Sequence, residues 1–134
     1  MYQAIGYDSM TPAGQEFFSE HFLILSGMYG FVRPTDIIGN YKLPIETKGL
    51  SLYWKRHITH ALKTLKPDCI VNLLPLSYGK MIDFKILGIP VVDINFMVQK
   101  GGKTEKMAHG VKKIRGEWIR NICENGVTDY RLFE

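Results

Sequence analysis

The stretch of residues 69–98, CIVNLLPLSYGKMIDFKILGIPVVDINFMV, decides the predicted fold. Its first six residues form an apolar run broken only by Asn72, which is typical of a strand buried on both faces. Ser77–Leu87 is then predicted to be a helix that ends at Gly88, and the apolar run after Pro90 predicts a second strand. A strand, a helix and a strand in this order favour a parallel pair joined by a helical crossover.

The sequence on the N-terminal side adds two helices and one more strand. Thr11 followed by Pro12 is a helix-start signal, and the predicted helix runs to about His21. Phe22–Leu25 is an apolar run of strand length. The apolar residues of Leu50–Leu65 recur on one side of a helix that turns about 100° per residue, which indicates a long amphipathic helix.

The remaining segments complete an α/β prediction. Arg33–Gly49 contains too many prolines and glycines for a long element, so it is predicted to be a loop. Lys100–Lys103 is predicted to be a turn and Thr104–His109 a short returning strand, and the last helix is predicted to start near Gly110. We therefore predict one domain over residues 1–134, with a small, mixed, partly parallel sheet flanked by helices. So few strands suggest that something belongs beside the sheet edge.

Length and composition exclude several classes of protein. The 134 residues suffice for one core, and two cysteines, Cys69 and Cys123, are too few for a secreted disulfide framework or a zinc module. A cytoplasmic location is predicted, since no signal-peptide pattern is present and the apolar stretch 22–32 is shorter than the about 20 residues of a membrane span. His57 and His60 have no cysteine or carboxylate pair at ligand spacing, so no metal site or other cofactor is predicted.

The net charge of +4 is concentrated in one part of the chain. Residues 99–120 contain seven Lys and Arg against two Glu, a net charge of +5, and the rest of the chain sums to about −1. A local positive field of this kind attracts phosphate, carboxylate or nucleic acid. The alternative is that these side chains form the solvated faces of a hairpin and a helix, and the sequence leaves both interpretations open.

Small and polar residues follow two of the predicted strands. The first strand is followed by Ser26–Gly30, whose glycines allow a tight turn, and then by Arg33 and Asp36. The second strand contains Asn72 and is followed by Pro75–Gly79. Ligands of open parallel α/β sheets gather beyond the carboxyl ends of the strands, so these residues are candidates for a binding site. Ordinary turn and capping chemistry is the alternative.

The last predicted helix has an apolar stripe with cations around it. Arg115 lies at the margin of the stripe and Lys112 lies farther round, whereas Lys113 and Arg120 are predicted to point to solvent. The stripe that we predict to be buried consists of Val111, Ile114, Trp118 and Ile122.

A guanidinium at the margin of a core face needs an anionic or carbonyl partner, because an unpaired buried charge is costly. Two arrangements are open for Arg115. In one, it forms an internal ion pair with Asp36 or Asp93. In the other, it binds a ligand together with Lys112 and Arg33.

Motifs for several common activities are absent from the sequence. The chain lacks the GxGxxG pattern and the glycine-rich P-loop pattern, so dinucleotide binding and P-loop nucleotide binding are not predicted. No Ser-His-Asp or Cys-His arrangement follows from spacing. Aromatic and basic residues are neighbours at Tyr29 and Arg33 and at Tyr41 and Lys42, which is compatible with stacking on bases or with ordinary packing.

Several stretches, in order and at matching spacing, resemble one known family. FLILSGMYGFVRPTDII at residues 22–38, followed by Tyr41–Leu43, is similar to the LSGLYGxLRPxDxxxPYRLE signature of the YaaA peroxide-stress family. Leu52–Trp54 is similar to the family's LYxFW, Val71–Leu73 to its INLAS and Lys112–Gly116 to its AKKARG. The resemblance covers nearly the whole of this chain and corresponds to the C-terminal half of the family.

The resemblance implies a YaaA-like fold and a cytoplasmic, bacterial-type protein of the oxidative stress response that protects DNA from peroxide and iron damage. It implies DNA as the partner and a basic cleft as the binding site. The residues of this chain that match the cleft by position are Ser26, Tyr29, Arg33, Asp36, Tyr41, Lys42, Asn72, Lys112, Lys113 and Arg115.

The chain also departs from the family pattern. Family members are much longer, and their opening strand and a region resembling a helix-hairpin-helix would lie before Met1, so DNA binding through that hairpin is not predicted. Pro75 and Ser77 stand where the family has Ser and an acidic residue, which weakens the case for shared catalysis at this strand end. The chain is therefore interpreted as a short form, a fragment or one half of a two-chain assembly.

Three functional hypotheses follow from these observations. The first is a non-enzymatic stress protein whose basic segment contacts DNA phosphates. The second is an enzyme acting on a nucleobase or nucleoside in the same cleft, with Tyr29 stacking on the base and Asp36 acting as an acid or base. The third is an interaction half that completes its sheet with a second copy of the chain or with a separately encoded N-terminal half.

Overall fold

The computed structural model describes residues 1–129 as helices joined to short strands. It confirms the predicted α/β class, with both parallel and antiparallel strand pairs. The helices are α1 (Tyr2–Ile5), α2 (Pro12–His21), α3 (Leu50–Leu65), α4 (Leu76–Gly79) and α5 (Val111–Asn125), with a 3-10 turn at Tyr7–Ser9. The strands are β1 (Ile24–Ser26), β2 (Gly30–Val32), β3 (Ile70–Asn72), β4 (Val91–Asp93), β5 (Met97–Lys100) and β6 (Lys103–Lys106).

The contacts of the chain divide it into two compact units. The central unit is residues 22–93, and the terminal unit is residues 1–21 together with the chain from residue 94 on. The prediction that residues 1–134 act as one domain stays a prediction.

In the central unit, β1 and β2 form a tight antiparallel hairpin. Ile24 pairs with Val32, and Ser26 pairs with Gly30. The sequence predicts the strand before Ser26 but not β2, which begins at a glycine, a residue of low strand propensity. Gly30 is required there because its φ is +79° and because a Cβ would lie 2.8 Å from the ring of Trp54.

The predicted parallel pair is confirmed in the central unit by β3 and β4. Ile70 pairs with Val91, and Asn72 pairs with Asp93. The strands are half-buried, however, and not buried on both faces as the apolar run predicts. The predicted long helix Leu50–Leu65 is confirmed at both ends by α3.

The predicted helix Ser77–Leu87 is wrong in length. Only α4 is helical, and the chain after it runs in turns. The reason is a tertiary hydrogen bond, in which the backbone N–H of Asp83 donates to Thr59 Oγ1 over 2.9 Å. Asp83 is thereby held against α3, and its own carboxylate accepts from the N–H of Lys85, which favours a turn over a continued helix.

The core of the central unit lies between α3 and this turn segment. Apolar side chains of both are almost fully buried, and half-buried residues of β1, β2 and β3 pack around them. The buried cluster consists of Ile45, Ile58, Leu62, Met81, Ile82 and Leu87.

In the terminal unit, α1 and α2 pack on α5. The helices approach closely at Gly116, where a Cβ would meet the carbonyl of Met1 and lie 2.7 Å from the Cβ of Ala4. Thr11 is confirmed as the start of α2, since its Oγ1 accepts from the N–H of Gly14 over 3.1 Å. The N–H and Oγ1 of Thr11 also donate to the two carboxylate oxygens of Glu124, each over 2.9 Å. These contacts fix the start of α2 against the end of α5.

The single strand predicted after Pro90 is divided into β4 and β5. β4 pairs with β3, whereas β5 pairs with β6 in an antiparallel hairpin of its own, so the chain leaves one sheet before it enters the other. The predicted turn Lys100–Lys103 is confirmed, with Gly101 and Gly102 both at positive φ. β6 is fully exposed along its length.

The buried face of α5 differs from the prediction. Ile119, Cys123 and Gly116 are buried, whereas Ile114 is 38 % exposed. Arg120 does not point to solvent, because its guanidinium donates to the carbonyls of the α1 end and the following turn. The acceptors are Ile5 O, Gly6 O, Ser9 Oγ and Ser9 O, at 2.8 to 3.1 Å.

Candidate functional site

Three of the predicted site residues in the central unit contact one another. Ser26 is buried at the end of β1, and its Oγ lies 2.6 Å from Tyr41 Oη. The backbone N–H of Tyr29 donates to the same Oγ over 3.2 Å. The rings of Tyr29 and Tyr41 meet edge to face with their centroids 5.6 Å apart. The structure therefore brings Ser26, Tyr29 and Tyr41 together as a polar and aromatic cluster.

The cluster attaches the loop after β2 to the end of β1. Tyr29 Oη accepts from the N–H of Gly39 over 3.0 Å, so both tyrosines hold loop positions through their hydroxyls. Tyr29 is 41 % exposed and Tyr41 is 37 % exposed. Two partly exposed rings that are held by their hydroxyl groups form a rigid aromatic surface that is available to a ligand.

Tyr78 lies near this cluster and was not singled out by the sequence pattern. Burial raises the pKa of the Tyr78 phenol, and electrostatic interactions with Tyr41 and Glu46 raise it further. The phenol is therefore neutral at physiological pH and can both donate and accept a hydrogen bond. In the sequence, Tyr78 is one member of the Pro75–Gly79 run after β3. The residue types alone do not set it apart from its neighbours.

Arg33 and Asp36 form a local turn in the central unit. The N–H of Arg33 donates to Asp36 Oδ2 over 2.7 Å, and the N–H of Asp36 donates back to the carbonyl of Arg33 over 3.0 Å. One carboxylate oxygen of Asp36 is thus occupied by backbone. The Arg33 side chain is exposed, as is Lys42, which lines a shallow depression with Asn40 and Tyr41.

Asn72 is held by hydrogen bonds at the end of β3. Its Nδ2 donates to Asp93 Oδ1 over 2.8 Å, and its Oδ1 accepts from the N–H of Leu74 over 3.0 Å. Asp93 stands opposite Asn72 in the strand pair, so the register itself places the two side chains together. Both ends of the Asn72 amide are used within the protein, and its role here is to fix the ends of the two strands.

The other predicted site residues lie in the terminal unit. Lys112 and Lys113 are exposed on the first turn of α5 and line a groove of about 710 Å³ with residues of α1 and of the segment before α5. Lys113 Nζ lies 3.9 Å from Glu117 Oε1, and both side chains are mostly exposed. An ion pair so exposed leaves the lysine available to a ligand.

Arg115 is half-buried on the same helix. Among residues 1–129, its Nε atom has no hydrogen-bond partner. Burial lowers the pKa of the Arg115 guanidinium from its ordinary value. The guanidinium therefore has one buried donor without an acceptor in the described part of the chain, which is energetically unfavourable.

No three or more His, Cys, Asp or Glu among residues 1–129 are grouped closely enough to hold a metal ion. Within the same range, no helix has the length and apolar character needed to cross a membrane.

Comparisons with known proteins connect the chain to one family. The family model described as "Peroxide stress protein YaaA" matches residues 1–133. A UPF0246 protein of Legionella pneumophila (strain Corby) is 31 % identical over 138 residues, which cover 95 % of this chain and 54 % of the relative. A UPF0246 protein of Francisella tularensis subsp. tularensis (strain WY96-3418) is 33 % identical over 146 residues, which cover 99 % of this chain and 58 % of the relative. The chain thus spans about half the length of the curated relatives it matches.

Proposed function

This chain belongs to the family of the peroxide stress protein YaaA, and we propose that it is a nucleic-acid-binding protein that contacts DNA phosphates during the peroxide stress response. The observation that carries the proposal is the pair Lys112 and Lys113, both exposed beside a groove at the start of α5. They belong to the segment 99–120, whose net charge is +5.

The positive charge of this segment is available to a ligand. Lys100 and both ends of β6, Lys103 and Lys106, are exposed on the hairpin. Among the residues that the structure describes, the one ion pair is that of Lys113 with Glu117. Lysines without carboxylate partners can neutralise the phosphates of a polyanion, and the cations condensed on that polyanion are then released, which favours binding.

Arg115 supports the same proposal as a third cation near the start of α5. Its Nε atom is buried, so a phosphate oxygen would contact the outer nitrogens of the guanidinium, which can bind two oxygens at once as a lysine cannot. Arg115 would then position the phosphate while Lys112 and Lys113 supply most of the charge.

A salt series of DNA affinity tests the proposal. Each phosphate that the protein neutralises contributes about 0.9 to the slope of log affinity against log salt for duplex DNA. Lys112→Glu with Lys113→Glu is expected to weaken binding strongly and to reduce this slope by about 2. Lys80→Glu with Lys85→Glu is the matched control, since it makes the same change of charge at exposed positions of the central unit.

Equal affinity at 50 mM and 200 mM salt would contradict phosphate binding. Equal losses in the two double variants would show that only the net charge matters and that Lys112 and Lys113 form no site. Arg115→Gln is measured separately, together with its thermal stability, because the residue is half-buried.

The aromatic cluster of the central unit supports a second candidate, an enzyme or binding protein for a nucleobase or nucleoside. Tyr29 and Tyr41 are fixed by hydroxyl hydrogen bonds and keep part of each ring exposed, as a stacking surface requires. The bond from the Arg33 N–H occupies one carboxylate oxygen of Asp36 and would leave the other for an acid or base role. A thermal-shift titration with free bases and nucleosides is expected to raise Tm for the wild type and not for Tyr29→Ala. No response to any of these compounds would remove this candidate.

A third candidate is an interaction half that pairs with a further polypeptide. Each sheet within residues 1–129 has two strands, and the chain spans about half the length of its relatives. Short sheets with free edges are the sites at which another strand is added. Light scattering is expected to find a dimer, or a complex with a separately produced N-terminal half of a relative. A monomer that binds neither would contradict this candidate.

A further inference from the structure

Helix α3 carries positive charge that the whole-chain sum conceals. It contains Lys55, Arg56 and Lys63, and Lys66 follows directly. No Asp or Glu occurs between Glu46 and Asp68. The net charge of about −1 outside residues 99–120 therefore conceals a helix whose charged residues are all positive. The compensating acidic residues lie elsewhere in the sequence.

The exposed cations and rings of α3 lie on one side of the helix. Lys63, Arg56, His60, Tyr53 and His57 fall within about 120° of arc in that order, and each is exposed. We call these five residues the α3 outer face. The opposite side packs into the core of the central unit through Ile58 and Leu62.

No carboxylate neutralises the α3 outer face within the described part of the chain. The one ion pair found among residues 1–129 is in the terminal unit, so neither Arg56 nor Lys63 has a carboxylate within 4.0 Å. Arg56 and Lys63 are seven residues apart, which separates them by about 10 Å along the helix axis. Two free cations at this separation fit phosphates a few nucleotides apart on one strand.

Tyr53 gives this surface an oriented aromatic ring. The Tyr53 side chain is 61 % exposed. Its ring meets Trp54 edge to face at 4.9 Å and lies 5.5 Å from the ring of His57. Trp54 is itself fixed, since its Nε1–H donates to the carbonyl of Gly27 over 2.8 Å. The exposed ring is therefore held by a neighbour that is anchored to the β1–β2 turn.

An exposed ring beside uncompensated cations distinguishes between possible partners. Acidic peptides and duplex DNA use the cations, but neither offers an unstacked base to Tyr53. Single-stranded nucleic acid uses both features, because its bases stack on aromatic side chains while its phosphates follow a basic surface.

We propose that the α3 outer face binds single-stranded nucleic acid, with Arg56 and Lys63 on phosphates and Tyr53 stacked on a base. This site lies in the central unit and shares no residue with Lys112 and Lys113. The inference rests on the proposed function, because it takes nucleic acid as the ligand. It adds that the bound form is single-stranded and that α3 is the helix that binds it.

The test is a set of affinity measurements with a labelled 20-nucleotide single strand, its duplex and an abasic strand of equal length. Arg56→Glu with Lys63→Glu is expected to weaken binding of both single strands, and Lys80→Glu with Lys85→Glu serves as the matched charge control. Tyr53→Ala is expected to weaken binding of the normal single strand about tenfold, Tyr53→Phe to retain it, and the abasic strand to show no difference between these variants. Leu52→Ala, at a neighbouring exposed position, is expected to have no effect.

The outcomes separate this inference from the proposed function. If the wild type binds no nucleic acid at all, both are wrong. If Lys112→Glu with Lys113→Glu abolishes binding while the α3 variants bind as well as their controls, the proposed function stands and the α3 site is rejected. Equal effects of Tyr53→Ala on the normal and abasic strands, or full competition by polyglutamate at equal charge, would also reject base stacking at α3. Unchanged Tm in Tyr53→Phe and Tyr53→Ala shows that the loss is not one of folding.

Discussion

Helices α3 and α5 are similar in length and in positive charge, but the sequence predicts their buried faces with different success. In α3 the buried residues Ile58 and Leu62 belong to the apolar stripe, although Thr59 is buried beside them and Leu65, the last residue of the stripe, is exposed. In α5 the buried residues are Ile119, Cys123 and Gly116, and the predicted stripe residue Ile114 is partly exposed. The apolar stripe therefore locates the buried side of α3 better than that of α5.

The partners of α5 explain why the stripe misleads. Gly116 allows α1 to approach the helix closely, and Arg120 reaches the carbonyls at the end of α1. A glycine and an arginine count as non-apolar in an apolar periodicity, although here both contact the N-terminal segment. The α3 contacts, by contrast, are made mostly by apolar side chains whose burial follows from their hydrophobicity, with Thr59 as the buried polar exception.

The largest expected effect comes from truncating one buried isoleucine on each helix. Ile58 is 2 % exposed and Ile119 is 5 % exposed. Truncating either to Ala removes buried methyl groups and leaves a cavity, so Ile58→Ala and Ile119→Ala are each expected to lower the free energy of unfolding by about 2–5 kcal/mol. Urea unfolding monitored by circular dichroism measures both.

Ile114→Ala is the matched control on α5. Because its side chain is 38 % exposed, we expect a loss below about 1 kcal/mol. A loss at Ile114 as large as that at Ile119 would mean that the stripe predicted from the sequence is the true buried face of α5.

The next largest effect is expected at Arg120, whose guanidinium makes four hydrogen bonds to three residues of the N-terminal segment. Arg120→Met keeps much of the aliphatic length but leaves the carbonyls of Ile5 and Gly6 without this donor. Hydrogen bonds to a charged group contribute about 1.5–3 kcal/mol, so we expect a loss of about 2 kcal/mol in the free energy of unfolding.

Lys113→Met provides the comparison for Arg120. It also removes a cation from α5, but an exposed one whose ion pair is weak, so a change within about 0.5 kcal/mol is expected. If the two substitutions had the same small effect, Arg120 would be a solvent-facing residue, as the periodicity predicts.

Local patterns predicted most elements of the fold. The bounds of α3 and the start of α2 follow from apolar periodicity and from the Thr11–Pro12 start signal, and the β5–β6 turn follows from its two glycines. The segment after α4 did not follow, because Thr59, 24 residues away in the chain, binds the N–H of Asp83. A hydrogen bond across that distance leaves no trace in a local window.

The residues of the candidate site were proposed from the sequence, but their contacts with one another were not. Ser26 and Tyr41 are 15 residues apart, and the hydrogen bond between them comes from the course of a loop that has no periodic pattern. The cations of α3 were missed for a different reason. A sum of charge over the chain cancels Arg56 and Lys63 against acids that the fold places away from their helix face.

A smaller effect is expected where the end of α5 holds the start of α2. Both carboxylate oxygens of Glu124 accept from Thr11, one from its N–H and one from its Oγ1. Glu124→Gln keeps the shape but replaces one acceptor by an amide that donates, so a loss of about 1 kcal/mol in the free energy of unfolding is expected. Glu20→Gln, at an exposed position of α2, is the control and is expected to be near neutral; an equal loss there would contradict the contact.

The smallest effect is expected from the ionisation of the Cys123 thiol, which changes stability only at alkaline pH. It tests whether the side of α5 that contains Cys123 is buried. Burial, followed by the negative charge of Glu124, raises the pKa of the Cys123 thiol from 9.0 to about 11. The folded protein therefore keeps this thiol protonated at a pH where the unfolded chain ionises it. Its contribution to stability is complete below pH 9 and is lost as the pH rises through about 11. Comparing Tm from pH 7 to pH 11 in the wild type and in Cys123→Ala measures this loss, and the variant is expected to decline less steeply above pH 9. Parallel curves for the two proteins would place Cys123 at a solvated position, and α5 would then pack on the face that its apolar stripe predicts.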